Sequence, residues 1–398
     1  MKILFIPFHS ISHKLPLLVL YKKYLSHLSK ISCSFLLAKS DEKYVERYKV
    51  NILDFDNTLQ NGLGNNSSSF NERKEKIIKQ YNPDIIIEDF CFHAVFFCKK
   101  SQIPRISIQR TGFFRASNPS TRNPFHTHSS DKFQINYRRY PLFKYKKYIP
   151  ESDILDRNYY YAEYILNNQL TSSDIHSPKF KIIPGVREIE MLPSNREEKS
   201  YLYSGPLVPD DYADSKLIND ISRFLYDNKN RYKVLLTMGT IEQQDVSPIF
   251  NILHKRGYAV ITTILPPYEV NKRYIFYYSF LPLHFVSENV DLIIHHCGSG
   301  IYHFPLLHLK PSITLGTQCY DREDIALRLQ ELNLSSHIPS PYDDSNYMEK
   351  FIVAIDSFEK GNLSDFRMLK RVNHNIIETM QNFDMEKLLN NIVSGKID

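Results

Sequence analysis

The chain has 398 residues, with 50 Lys or Arg against 44 Asp or Glu, a formal net charge of +6. A hydrophobic fraction of 42%, a charged fraction of 24%, 12 glycines and 21 prolines exclude a disordered chain and a collagen-like or linker protein. The length predicts two or three domains, and the basic excess permits an anionic ligand but is too small to imply nucleic acid.

Cys33, Cys91, Cys98, Cys297 and Cys319 are dispersed and form no C-x-x-C. That argues against a disulfide scaffold or a structural zinc site and fits reduced thiols in a cytoplasmic protein. No apolar run approaches the roughly 20 residues of a membrane helix. Met1-Lys2-Ile3-Leu4-Phe5-Ile6-Pro7, soon interrupted by His9, reads as a buried strand rather than a signal peptide.

In chain order, short apolar strands alternate with amphipathic stretches, the signature of an α/β fold with parallel sheets. A strand is predicted at 3–7 and a helix at 16–28, opened by Pro16, with Leu17, Leu18, Leu20, Tyr21, Leu25 and Leu28 at helical spacing. A strand at 34–38 follows. The Gly/Asn/Ser run at 61–69 reads as a loop. A helix at 74–81 and strands at 83–87 and 105–109 come next. Residues 111–175 are irregular, with Arg138-Arg139-Tyr140 and Lys144-Tyr145-Lys146-Lys147-Tyr148. That segment is either a solvated basic surface or a contact zone for an anionic acceptor or a membrane surface. Ser204-Gly205-Pro206-Leu207-Val208-Pro209 reads as a hinge between halves. The second half predicts strands at 233–237, 259–264, 290–295 and 312–315, a helix at 323–332 and a closing helix at 385–393.

The strongest chemical signal is the strand 290–295 running into His296-Cys297-Gly298-Ser299-Gly300. Small side chains let an anion approach backbone N–H groups, and the loop is expected to open a helix with its positive end toward the ligand. His296 adds a donor that can be cationic, so the set suits a diphosphate. Thr237-Met238-Gly239-Thr240 ends another strand, and Gln318-Cys319-Tyr320-Asp321-Arg322 follows a third. In an open α/β sheet, ligands bind outside the carboxyl ends of the strands. In the first half, Ser12-His13 follows the first strand and Asp89 follows the strand ending at Ile87. A carboxylate beside an imidazole fixes its tautomer and makes a general base. His9 is the competing loop histidine.

Taken together, these residues resemble the family 1 glycosyltransferases, the group of UDP-glycosyltransferases and antibiotic, macrolide-type glycosyltransferases. The family's G-H-x-x-P corresponds to Ser12-His13-Lys14-Leu15-Pro16, and its P-D-x-x-x-x-D strand to Pro83-Asp84 followed by Asp89, then Ile103-Pro104. Its Y-x-G-P linker corresponds to Tyr203-Ser204-Gly205-Pro206, and its S-x-G-[ST] to Thr237-Met238-Gly239-Thr240. W-x-P-Q corresponds to Phe280-Leu281-Pro282-Leu283, and H-[CG]-G-x-[GN] to His296-Cys297-Gly298-Ser299-Gly300. The motifs run in order along nearly the whole chain.

The resemblance implies the GT-B architecture, two Rossmann-like domains across a cleft. Here that means an acceptor domain at 1–205, a nucleotide-sugar domain at 206–380, and a closing helix at 381–398 packed back on the first domain. It implies an inverting, metal-independent hexosyltransferase without organic cofactor, acting from a UDP- or TDP-sugar on a hydroxyl or amine in natural-product or glycan biosynthesis. No D-x-D-type pair stands where a metal would bridge phosphates. His13 would be the base and Asp89 its orienter. Phe280 would stack on the nucleobase, with the Leu281 backbone reading its edge. Gly239, Thr240, His296, Gly298, Ser299 and Gly300 would hold the diphosphate. Asp321 would meet the sugar hydroxyls, with Arg322 beside it. A monomer or homodimer is expected, in the cytoplasm or peripheral to a membrane.

The departures from the pattern that bear on the donor are at three positions. Phe304 stands where the family has a ribose-binding Glu, Leu283 replaces Gln in W-x-P-Q, and Arg322 replaces the Gln after Asp321. Phe304 predicts that discrimination between UDP and TDP is weak or favours TDP, and Phe304→Glu is expected to shift preference toward UDP. Arg322 offers a forked cation for an anionic sugar. The alternative is a relaxed donor site. The rival functions are a catalytically silent GT-B helper and a GT-B sugar-nucleotide epimerase or hydrolase.

Overall fold

The computed structural model describes residues 1–7, 11–37, 41–54, 68–89, 91–110, 180–191, 201–211, 214–238, 245–267, 272–317, 320–341 and 344–394. The basic, Tyr-rich stretch, His9 and the loop at 61–67 lie outside them. The first half runs β1 (Lys2–Pro7), α1 (Ile11–Tyr24), β2 (Ser32–Leu36), α2 (Glu42–Tyr48), β3 (Asn51–Asp54), α3 (Ser68–Tyr81), β4 (Ile85–Asp89), α4 (Phe92–Ser101), β5 (Arg105–Ile108), β6 (Phe180–Ile183) and β7 (Tyr201–Tyr203). The second half runs α5 (Ser215–Asp227), β8 (Lys233–Thr237), α6 (Ser247–Lys255), β9 (Ala259–Thr262), β10 (Ile275–Tyr277), α7 (Leu283–Asn289), β11 (Leu292–His295), α8 (His303–Leu307), β12 (Ser312–Leu315), α9 (Tyr320–Glu331), β13 (Ser335–Ile338), α10 (Tyr347–Glu359), α11 (Phe366–Asn382) and α12 (Met385–Val393).

Each half builds one parallel sheet, as the alternation predicts. Among the described residues, the first has seven strands in the order β3-β2-β1-β4-β5-β6-β7, and the second six in the order β10-β9-β8-β11-β12-β13. Parallel strands need long crossovers, and the helices that supply them cover the sheet faces. The central strands are therefore continuous apolar runs: Ile85, Ile86, Ile87, Val234, Leu235 and Leu236 are all fully buried. Both orders reverse direction once, between β1 and β4 and between β8 and β11. Doubly wound sheets open a ligand crevice at such switch points. Pro7 pairs with Asp89 at the end of the first, and Thr237 with His295 at the end of the second.

Three elements differ from the sequence reading: α3 begins at Ser68 rather than 74, so residues 68 and 69 of the loop predicted at 61–69 are helical. α1 begins at Ile11, and Pro16 lies inside it. Ser12 and His13 thus sit in the first helical turn rather than in a loop. A proline this close to an N-terminus deprives only one carbonyl, that of Ser12, of its helical donor. The glycine loop is followed by α8, which has only five residues, so a long helix dipole does not stand behind it.

The segment 204–211 between the halves has no regular structure. Gly205 has φ +69°, and a Cβ there would stand 2.4 Å from Met380 Cγ, so both conformation and space require glycine. α12 is capped by Asp384, which accepts from the Lys387 N–H at 2.8 Å. Its Met385, Leu388 and Leu389 enter the core of the first sheet beside Ile3, Phe5 and Leu17. Leu389 is fully buried. Leu389→Ala is expected to lose about 2–5 kcal/mol of stability. A melting temperature unchanged from wild type would show that α12 does not hold this core.

Candidate active site

The first crevice holds a carboxylate, an imidazole and a guanidinium. Asp89 closes β4 and is fully buried. Its Oδ1 stands 2.6 Å from Nδ1 of His13, whose side chain keeps 16% exposure. With Nδ1–H donated to Asp89, the outward Nε2 carries the lone pair a general base needs. Arg110, just past β5, donates from Nη1 to Asp89 Oδ1 at 2.8 Å and from Nη2 to Oδ2 at 3.0 Å. Nη2 also reaches the Ser12 carbonyl at 3.3 Å, the group that Pro16 leaves without its helical donor. Burial pushes the Asp89 carboxyl up, but Arg110 and His13 outweigh it and hold the group below the ordinary carboxylate range. Arg110 has no counterpart in the sequence reading. The available signal was its place on the same carboxyl edge as Asp89.

Glu88, one residue earlier, points to the opposite face of the sheet. It pairs with Arg105 at 2.7 Å and accepts the Cys91 N–H at 2.9 Å. Burial raises its carboxyl above the usual value despite Arg105. Alternation along β4 thus sends one carboxylate into the packing under α4 and the other to the crevice.

The second crevice lies at the ends of β8 and β11. Thr237 and Thr263 share a hydroxyl hydrogen bond of 2.8 Å. The Cys297 N–H donates to His295 Nδ1 at 3.1 Å, and Cys297 has φ +58°, unusual for a side-chain-bearing residue. This twist turns the chain so that the His296 ring lies over Gly298, where a Cβ would stand 2.5 Å from His296 Nε2. His296 is buried, and among the described residues its Nδ1 has no hydrogen-bond partner. Ser299 is half-buried and Gly300 exposed, with no atom within 4 Å of where a Gly300 Cβ would be.

The charge in this loop is not the one expected from sequence. Burial, then Arg322 and His295, push the His296 imidazole well below its ordinary value. His296 is therefore neutral at pH 7 and offers a hydrogen bond, while the buried Arg322 carries the positive charge. His295 is pushed down to about 3 by burial.

Phe280 is 50% exposed, in keeping with a stacking surface, whereas Leu281 is buried. Leu283 opens α7 and packs on the apolar cluster that contains Phe304. Phe304 itself is 2% exposed. Gly239, Thr240 and the side chain of Asp321 lie outside the described residues. A buried relay unforeseen in sequence fixes the approach to α9. The Thr317 N–H donates to Glu323 Oε1 at 2.8 Å, Glu323 Oε2 meets His337 Nε2 at 2.9 Å, and His337 Nδ1 meets Thr314 Oγ1 at 3.0 Å.

The two crevices connect through residues 184–190. Val186 and Ile189 join a cluster with Tyr302, Leu306, Ile325 and Leu369. The Tyr302 hydroxyl donates to Glu190 Oε1 at 2.9 Å. Arg110 acts electrostatically on both Tyr302 and His303, so the guanidinium of the first crevice stands near the chain that follows the loop of the second. Among the described residues, no His, Cys, Asp or Glu cluster is placed to hold a metal ion, and no helix is long and apolar enough to cross a membrane.

No family model matches the sequence, and no curated protein sequence does. Solved structures do match. The spinosyn forosaminyltransferase SpnP superposes with a TM-score of 0.68 at 14% identity, over 99% of each chain. Medicago truncatula UGT71G1, complexed with UDP-glucose, gives 0.67 at 13% over 98% of each chain. A UGT transferase from Siraitia grosvenorii in complex with UDP gives 0.65 at 13% over 100% of each chain. Likeness at such identities speaks for architecture rather than chemistry: the chain has the GT-B fold that these glycosyltransferases share.

Proposed function

We propose that this protein is a glycosyltransferase that moves a sugar from a nucleotide diphosphate sugar to an acceptor hydroxyl or amine, with inversion. The acceptor oxygen or nitrogen bonds to the anomeric carbon as the bond from that carbon to the diphosphate oxygen breaks. The acceptor's proton passes to His13 Nε2, and the nucleoside diphosphate leaves. Asp89 holds the imidazole in the required tautomer and stabilises the imidazolium that forms. Loop N–H groups, His296 and Arg322 take up the charge that develops on the leaving diphosphate. Phe280 stacks on the base. The reading uses neither metal nor organic cofactor.

One observation carries this reading: the 2.6 Å His13–Asp89 pair at the switch point of the first sheet. A silent helper has no need of a buried carboxylate held ionised against an imidazole. UDP and UDP-glucose occupy the structurally similar Siraitia grosvenorii and Medicago truncatula proteins, which makes uridine donors the first to try. TDP-sugars belong in the same panel because Phe304 offers the ribose no acceptor. The test is to incubate the protein with UDP- and TDP-glucose and a panel of acceptors and to measure nucleotide diphosphate release. Release that depends on acceptor supports transfer. Acceptor-independent release indicates a hydrolase, and no release with no nucleotide binding removes the proposal.

His296→Ala is expected to weaken nucleoside diphosphate binding about tenfold, the loss of one neutral hydrogen bond at a buried site. Binding of the nucleoside without phosphates should not change. Calorimetry that finds equal diphosphate affinity in both forms would make this loop a structural turn.

A further inference from the structure

We propose that Arg110 is a positioning residue for the base: it supplies the counter-charge of Asp89, so that His13 need not. The proposal rests on the glycosyltransferase reading above and assigns a role to a residue outside it. A charge in a buried site is stable only if it is matched. Asp89 is fully buried and Arg110 only 5% exposed. Both prongs of the guanidinium fall on the carboxylate, at 2.8 and 3.0 Å. The same group lies 3.4 Å from His13 Nδ1. If Asp89 had His13 as its sole partner, the pair would balance by charging the imidazole. An imidazolium has no lone pair to accept a proton and is not a base. Arg110 balances the carboxylate instead, opposes a second positive charge beside it, and leaves Nε2 available.

Geometry supports the same role. Arg110 Nη2 also bonds the Ser12 carbonyl at 3.3 Å, replacing the N–H that Pro16 lacks. One side chain therefore ties the end of β5 to the first turn of α1 and to the end of β4, the three points that aim the His13 ring. Among the described residues, the charged groups shown against that ring are Asp89 from β4 and Arg110 from beyond β5, and Arg110 in turn acts on Tyr302 and His303. Lys14, next on α1, is bound to Asp41 at 2.7 Å.

The test compares Arg110→Gln, which removes the charge, with Arg110→Lys, which keeps it. In R110Q the acid limb of the pH–rate profile should move up by roughly one pH unit, the scale of one neighbouring charge. Activity should then fall by up to tenfold on the acid side of the limb and recover in alkali. In R110K the limb should stay within about 0.3 unit of wild type, with a lower plateau because one prong is lost. Donor affinity should be unchanged in both. A structural role alone predicts a loss equal at every pH, and that outcome would overturn the proposal. If R110Q does not fold, a limb in R110K displaced by a full unit overturns it instead. The ¹⁵N-histidine titration of His13 gives the same shifts without turnover. Failure of the transferase reading, seen as a wild type without acceptor-dependent release, is thereby kept separate from failure of this one.

Discussion

His13→Ala is expected to lower transfer by ~10² to 10⁴-fold, the usual loss when a positioned general base is removed, while nucleoside diphosphate affinity stays within a factor of two or three. The separation follows from the two sheets. His13 rides on α1 above the switch point of the first, whereas the loop at 296–300 and Phe280 belong to the second. The variant should also fold, because the Asp89–Arg110 pair survives and His13 is partly exposed. Turnover within a factor of three of wild type would remove His13 from the mechanism. Asp89→Asn is a less clean probe. It takes a full charge away from both Arg110 prongs, and an uncompensated buried cation typically costs about 3–5 kcal/mol. Its rate loss must therefore be read beside its melting temperature.

The fold was largely legible because parallel strands buried on both faces leave continuous apolar runs. Ile85-Ile86-Ile87 and Val234-Leu235-Leu236 have little other reading, and the closing helix predicted at 385–393 occupies those residues, Met385–Val393. His13 and Asp89 could be found because both sit at strand ends on one sheet edge, where chain order predicts the crevice. Less visible features depend on distance in space. Pro16 reads as a helix start, since sequence does not tell a first-turn proline from a second-turn one whose orphaned carbonyl finds a substitute donor in Arg110. Arg110 itself lies 21 residues from Asp89, inside a run that continues into an irregular stretch. The charge of His296 was misread for a related reason: proximity to an expected phosphate says nothing of the desolvation that keeps the ring neutral, or of Arg322 beside it.

Phe304→Glu is expected to destabilise the second half rather than to restore a grip on ribose. From sequence, residue 304 occupies the position of a ribose-binding carboxylate. In the structure its ring is packed with Leu281, Val286, Ile293 and Ile301. The His284 ring lies 4.8 Å away, centroid to centroid. A glutamate there forfeits the packing of the aromatic ring and brings a carboxylate among aliphatic side chains. The two nearby imidazoles give limited relief. His284 Nδ1 already meets His308 Nε2 at 3.0 Å, and burial together with His284 pushes His308 below its ordinary value. Loss of a buried aromatic side chain and an ill-matched buried charge each typically cost about 3–5 kcal/mol. Protonation of the acid can remove much of the second. A net loss of about 3–5 kcal/mol implies a melting temperature lower by roughly 10 °C. Phe304→Leu, which stays apolar, should lose far less. The proposed weak discrimination between UDP and TDP is then a property of the wild-type site, measurable by competition binding, and the glutamate does not sharpen it. A folded F304E protein that melts within 2–3 °C of wild type and binds UDP tenfold more tightly than TDP would place residue 304 against the nucleotide and overturn this reading of the core.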